Sequence, residues 1–79
     1  MNAYTHSISI WPLDEEREFT DSAPAWESAA CGKEVAQAAH QTITHALAQA
    51  IVGYSPYYAV SLDKLDNDGI GVCQEMRTL

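Results

Sequence analysis

The chain has 79 residues, of which 47% are hydrophobic, and its 11 Asp and Glu residues against 4 Lys and Arg residues give a formal net charge of −7. A chain of this length and hydrophobic content has room for one core and is not disordered, so we expect one acidic domain over residues 1–79. The negative field repels nucleic acid and anionic lipid and attracts basic surfaces, so direct nucleic-acid binding is disfavoured.

The sequence also bears on where the protein acts. No apolar run approaches the ~20 residues that a membrane-spanning helix needs. The N-terminus lacks the basic and apolar regions of a secretion signal, so a cytoplasmic location without membrane contact is expected. Cys31 and Cys73 are too few for a disulfide framework, and we expect both to be small buried hydrophobic residues, with a structural disulfide as the alternative.

The first predicted element is a half-buried strand from Tyr4 to Trp11, because polar and apolar residues alternate there with a period of two. Pro12 lacks a backbone donor and is expected to end this strand, and residues 13–16 are expected to form an exposed acidic turn. The face that points to the core is predicted to consist of Tyr4, His6, Ile8 and Ile10.

Residues 17–32 are the least regular part of the chain. Two short strands are predicted, one in the REFTDSA segment and one over 26–31, and a helix beginning at Asp21 or Ser22 is the alternative. Gly32 inside such a helix would cost about 1 kcal/mol relative to Ala. Gly32 as the N-cap of a later helix, with Glu34 in the first turn, suits the helix dipole, so we favour the strands.

The strongest periodicity covers Lys33 to Val52, where apolar residues recur at steps of three and four and predict an amphipathic helix. Gly53 is expected to close this helix, and Pro56 prevents its continuation. The large side chains expected to face the sheet are Val35, Ile43, Leu47 and Ile51.

Two antiparallel strands are predicted after the helix, joined by the turn sequence LDNDG. The first is expected to place Tyr58, Val60 and Leu62 on one face, and the second continues the pattern with Ile70, Val72 and Met76. The predicted fold class is therefore α+β, a small antiparallel sheet packed against one amphipathic helix in the order β-β-β-α-β-β.

The candidate metal ligands have simpler interpretations. Asp63, Asp66 and Asp68 resemble a calcium-binding loop, but Lys64 stands where the first oxygen ligand belongs, so a polar hairpin turn is favoured. His40 and His45 lie about 140° apart around a helix and cannot share one metal, so both are expected to be ordinary surface histidines. No metal or cofactor is therefore expected.

The sequence offers no identifiable nucleophile with an orienting base, no CxxC pair and no glycine-rich phosphate loop. We therefore expect a protein that is not an enzyme.

The acidic residues are concentrated outside the predicted helix. Two interpretations stay open: a solubilising surface, or carboxylates that imitate nucleic-acid phosphates and occupy the basic surface of a binding protein. Tyr57 is the aromatic residue expected to be exposed beside them, whereas Trp26 and Phe19 are expected in the core. The candidate partner-binding residues are Asp14, Glu15, Glu16, Glu18, Asp21, Asp63, Asp66, Asp68 and Tyr57.

The size, acidic excess, order of elements and lack of a catalytic signature resemble the small phage-encoded anti-CRISPR proteins, several of which are acidic αβ domains that block Cascade-type surveillance complexes. The resemblance implies an inhibitor in the cytoplasm of a bacterial host that would occupy a basic DNA-binding surface of a type I CRISPR-Cas effector complex. An exposed strand edge in so small a sheet leaves a monomer and a homodimer both open.

The segment from Tyr4 to Ile51 also looks like the HicB antitoxin domain, with a strand, the acidic turn LDEERE, the connection SAPAW and an alanine-rich helix. This chain reads APAWES where that family usually has a Pro-Gly step. The resemblance implies the alternative function, which is to mask a small ribonuclease toxin.

Overall fold

The computed structural model of the protein describes residues 3–48 and 57–78, with one helix packed on one face of an antiparallel sheet. The α+β class is confirmed. The strand order in the sheet is β2-β1-β3-β4, so β1 and β3 are central and β2 and β4 are the edges. The elements are β1 (His6–Pro12), β2 (Trp26–Ala30), α1 (Lys33–Thr42) with a π-helical continuation (Ile43–Leu47), β3 (Tyr58–Leu65) and β4 (Gly71–Thr78).

The core lies between α1 and the two central strands. Ile8 and Ile10 of β1 and Val60 and Leu62 of β3 are almost fully buried, so the predicted alternation of both strands is confirmed. Each such side chain contributes ~1.5–3 kcal/mol through burial. Tyr4, predicted on the same face, precedes β1 and is 52% exposed.

The connection between β1 and β2 differs from the prediction. The strand expected in REFTDSA is not formed, and this stretch makes only an isolated bridge between Leu13 and Phe19. Leu13, expected in an exposed turn, is buried at 4% exposure, whereas Phe19, expected in the core, is 54% exposed. The cause is a tight turn that directs the Leu13 side chain inward and leaves the Phe19 ring edge-on to Trp11, with ring centroids 5.6 Å apart.

The next two elements follow the prediction more closely. The strand predicted over 26–31 is β2, paired antiparallel with β1, and Gly32 is the N-cap of α1 with φ 99°, a conformation that only glycine adopts without strain. Ala36 and His40 face the sheet, whereas Val35, predicted to do so, is 61% exposed. The predicted helix end at 49–56, including Ile51, Gly53 and Pro56, lies outside the described residues, as does the side chain of Leu47.

The predicted hairpin of β3 and β4 is confirmed, but it contains a bulge. Leu62 pairs with Glu75 and Asp63 with Cys73, so Gln74 has no partner in the register. Val72 and Met76 consequently lie on opposite faces of the sheet and are exposed, contrary to the predicted common face. Cys31 and Cys73 are both exposed and free, so the expectation that they are buried is wrong.

His40 is buried rather than on the surface, with 1% exposure. Its Nε2 lies 2.7 Å from the Val60 carbonyl oxygen, which can only accept, so Nε2 carries the proton and donates. Its Nδ1 is 4.0 Å from the Glu75 carboxylate and has no hydrogen-bond partner. The imidazole therefore links α1 to β3, whereas His45 on the same helix is exposed as predicted.

Candidate binding surface

The two acidic turns have the same architecture. In residues 14–18, Asp14 Oδ1 accepts hydrogen bonds from the backbone N–H groups of Glu16 and Glu18, both at 2.9 Å. In residues 66–70, Asp66 Oδ1 accepts from the backbone N–H groups of Asp68 and Ile70, also at 2.9 Å. Each turn is thus held by the carboxylate of its first residue.

The backbone bonds of the two turns also correspond. The N–H of Asp14 donates to the Glu18 carbonyl at 3.0 Å, and the N–H of Asp66 donates to the Ile70 carbonyl at 3.0 Å. The fourth residue of each turn has a positive φ, 63° at Arg17 and 82° at Gly69. Asp14 and Asp66 are therefore structural residues, and they hold the backbone that carries the acidic residues after them.

This architecture predicts that Asp66→Ala lowers the free energy of unfolding by about 1 kcal/mol, because two backbone donors lose their acceptor. Asp68→Ala is the matched control, since it removes the same charge from the same turn but no side-chain hydrogen bond. Denaturant unfolding of both variants measures the difference. Equal losses in the two variants would contradict the structural role of Asp66.

The remaining acidic residues of the turns, together with Asp21, are available to a partner. Their side chains are exposed and form no hydrogen bond or ion pair within residues 3–48 and 57–78. They are Glu15, Glu16, Glu18, Asp21 and Asp68. Of the nine residues predicted to bind a partner, these five are free to do so without disturbing the fold.

The structure does not bring the two acidic turns together. The first follows the end of β1 at Pro12, and the second lies beyond the start of β1, where the Leu65 N–H donates to the Thr5 carbonyl at 2.9 Å. The seven residues of β1 separate them, which corresponds to roughly 20 Å at 3.3 Å per residue. The predicted site is therefore two acidic ends of one sheet and not a single cluster.

Tyr57 belongs to the first of these ends. Its ring is half-buried, and the Arg17 guanidinium carbon lies 5.1 Å from the ring centroid, a cation–π contact. The contact ties the first acidic turn to the beginning of β3. Tyr57 therefore supports the turn, and it is less accessible than the sequence predicted.

The face of the sheet opposite α1, here called the open face, carries a groove of about 420 Å³ between the two acidic ends. Sequence reasoning missed it, because it depends on residues from all four strands and their connections. Trp11 forms one wall, and its indole N–H donates to Ser61 Oγ at 3.0 Å. Glu27 of β2 and Asp63 of β3 both line the groove.

Asp63 is the one predicted site residue in this groove. Burial raises the pKa of its carboxyl, and a hydrogen bond with the Cys73 side chain opposes part of that increase. Its Oδ1 is buried without a hydrogen-bond partner. The carboxylate packs over Gly71, where a Cβ atom would lie 2.9 Å from Oδ2, so only glycine fits there without a shift.

The raised pKa gives a prediction for stability against pH. An acid with a raised folded-state pKa binds its proton more tightly in the folded protein, so its ionisation destabilises the fold as the pH rises above 3.8. Asp63→Asn should therefore raise the free energy of unfolding at pH 7 by about 0.5 kcal/mol, a small gain because solvent screens a partly exposed group.

This gain should disappear near pH 3, where Asp63 is protonated in both states. Asp68→Asn, which removes the same charge from an exposed side chain, is the control. Denaturant unfolding at the two pH values distinguishes them, and a loss of stability in Asp63→Asn at pH 7 would contradict the assignment.

The described residues contain neither a cluster of metal-ligating side chains nor a helix that could span a membrane. No three His, Cys, Asp or Glu side chains among residues 3–48 and 57–78 are grouped so that they could hold a metal ion. The described part of the helix is too short and too polar to cross a bilayer. Asp66, a candidate calcium ligand, instead accepts hydrogen bonds from its own turn.

Comparison with models of protein families found no match, and comparisons with curated proteins and with solved structures found no significant similarity. The function therefore has to be argued from the geometry of the acidic ends and the open face.

Proposed function

We propose that the protein is a non-enzymatic inhibitor that binds a basic, nucleic-acid-binding surface of another protein and excludes the nucleic acid from it. The first partner to test is a type I CRISPR surveillance complex in the cytoplasm of a bacterial host. The observation that carries the proposal is the pair of acidic turns, built alike and placed at opposite ends of one sheet.

The placement of the carboxylates suits a surface that normally binds a phosphate backbone. Duplex DNA presents one negative charge per ~1.7 Å, so a basic groove receives charge along its whole length and not at one point. The acidic turns are separated by the length of β1, and Glu27 and Asp63 lie on the open face between them. Negative charge is thus distributed along the sheet as it is along a nucleic acid.

The rigidity of the turns supports the same role. A carboxylate that is already oriented loses less conformational entropy on binding than one on a mobile loop. Asp14 and Asp66 hold their turns through two side-chain hydrogen bonds each, and Arg17 packs on Tyr57. The backbone that carries Glu15, Glu16 and Asp68 is therefore held in place, although their side chains remain free to choose rotamers.

The described part of the helix carries few charged residues. Within α1 the charged residues are Lys33 and Glu34, and the exposed positions farther along are mainly uncharged, such as Gln37 and Gln41. The negative electrostatic potential therefore comes mainly from the turns and the open face. This asymmetry favours one binding orientation and raises the association rate with a basic partner.

The test is competition between this protein and target DNA for a purified type I surveillance complex, measured by fluorescence anisotropy of labelled DNA. Increasing protein should displace the DNA, and higher salt should weaken the displacement because the contacts are electrostatic. Failure to bind the complex, or binding that leaves DNA affinity unchanged, would overturn the proposal. A stable complex with a small ribonuclease toxin would instead support the HicB-type function.

A further inference from the structure

The groove on the open face runs along β1, with Ser7 and Ser9 on its floor. Asp63 of β3 pairs with Ser7 on one side, and Glu27 of β2 pairs with Ser9 on the other. The volume of about 420 Å³ falls within the ~300–1,000 Å³ range of ligand-binding clefts. The groove is therefore large enough for a long side chain and part of its backbone.

The charge of the groove selects a cation. Glu27 and Asp63 are the charged residues among its described lining, which includes no Lys, Arg or His. One carboxylate stands on each side of a small polar floor, and together they attract a positive group. None of the described lining residues carries a positive charge that would neutralise them. An anionic or purely apolar ligand is disfavoured by the same arrangement.

Asp63 also has an unfilled hydrogen-bonding capacity. Its buried Oδ1 has no partner, and a buried acceptor without a donor destabilises the free protein. A guanidinium group offers five N–H donors in a planar fork that matches a carboxylate. Such a ligand at the groove-facing part of the Asp63 carboxylate would pair with its charge and favour its ionised form.

The wall formed by Trp11 suits the same group. Its indole N–H is held by Ser61 Oγ at 3.0 Å, and the Phe19 ring packs against it edge-on, so the orientation of the indole is fixed. Indole faces bind cations, and a planar guanidinium stacks on them more favourably than an ammonium group does. An aromatic ring and two carboxylates thus line the same groove, a combination that suits an arginine side chain.

We infer that the open-face groove binds the side chain of an arginine of the partner protein, with Asp63 accepting its hydrogen bonds, Trp11 stacking on it and Glu27 adding attraction. This deepens the proposed function, on which the identity of the partner rests. The preference of the groove for arginine follows from the residues that line it, whichever protein supplies the arginine.

The test uses the protein alone with a capped Ala-Arg-Ala peptide, followed by NMR. The peptide should shift the Trp11 indole N–H resonance and the amides of Ser7 and Ser9. The same peptide with citrulline, a neutral isostere of arginine, should bind at least about tenfold more weakly, since it lacks the charge. Equal binding of the two peptides, or shifts confined to the acidic turns, would overturn the inference.

Matched variants assign the contact. Asp63→Asn should lower the affinity for the arginine peptide about tenfold, because it removes the charged acceptor. Asp68→Asn removes the same charge from an exposed side chain that does not line the groove and should lower the affinity less than about twofold, as expected of a solvent-screened charge. Similar losses in both variants would mean that net charge alone attracts the peptide and would remove the groove from the proposal.

The two proposals fail separately. If the protein binds the arginine peptide through Asp63 but does not displace DNA from the surveillance complex, the inference about the groove is supported and the proposed function is wrong. If the protein displaces DNA and the peptide binds elsewhere or not at all, the proposed function is supported and the inference about the groove is wrong.

Discussion

Glu16→Lys should weaken displacement of DNA from the partner about tenfold, because it replaces an exposed carboxylate of the first acidic turn with a cation facing a basic surface. The turn itself should persist, since Asp14 holds it through the backbone N–H of residue 16, which the substitution retains. The measurement is the concentration of variant that releases half of the labelled DNA.

Glu34→Lys is the matched control for this experiment. It makes the same change in net charge at an exposed position in the first turn of α1, away from the acidic turns. It should alter displacement less than about threefold through the overall field alone. Equal effects of the two variants would show that total charge and not the turn matters, and the acidic turns would lose their assigned role.

His40→Ala should have the largest effect on stability, about 3 kcal/mol in the free energy of unfolding. The substitution opens a cavity between α1 and the sheet and removes the donor to the Val60 carbonyl, which accepts at 2.7 Å. For a domain of this size that loss is a large part of a stability of ~4–12 kcal/mol. Thermal and denaturant unfolding measure it.

Two further variants serve as controls for the His40→Ala prediction. His45→Ala on the exposed side of the same helix should change stability by less than about 0.5 kcal/mol. His40→Gln retains an N–H donor and should recover part of the loss even if the alanine variant fails to fold. Similar losses for His40→Ala and His45→Ala would refute the buried link between α1 and β3.

The difference between His40 and His45 illustrates what the helical pattern leaves undecided. An alanine-rich helix has few large apolar side chains, so its sequence does not clearly identify the face that packs against the sheet. Here the helix turns Ala36 and His40 inward and leaves Val35 exposed, because small side chains let the backbone approach and the imidazole finds an acceptor on β3. A titratable residue in a core is predictable only when its partner is known.

The connection between β1 and β2 shows a similar limit. The sequence predicted an acidic turn at 13–16, but the turn lies at 14–18 with Arg17 at positive φ, a position that glycine usually occupies, so the letters DEERE do not show where it ends. The corresponding turn at 66–70 has Gly69 in that position, and its sequence predicted a hairpin correctly. The likeness of the two turns becomes apparent only from their hydrogen bonds.

The sequence by itself determined the α+β class, the alternating faces of the two central strands, the Gly32 helix start and the concentration of acid outside the helix. These features depend on the periodicity and the backbone preferences of residues that are close together in the sequence. Only the tertiary structure decided that the acidic turns lie at opposite ends of the sheet and that Trp11, Glu27 and Asp63 meet in one groove. The reason is that the pairing of strands brings together residues distant in sequence, and a bulge of one residue at Gln74 changes which of them share a face.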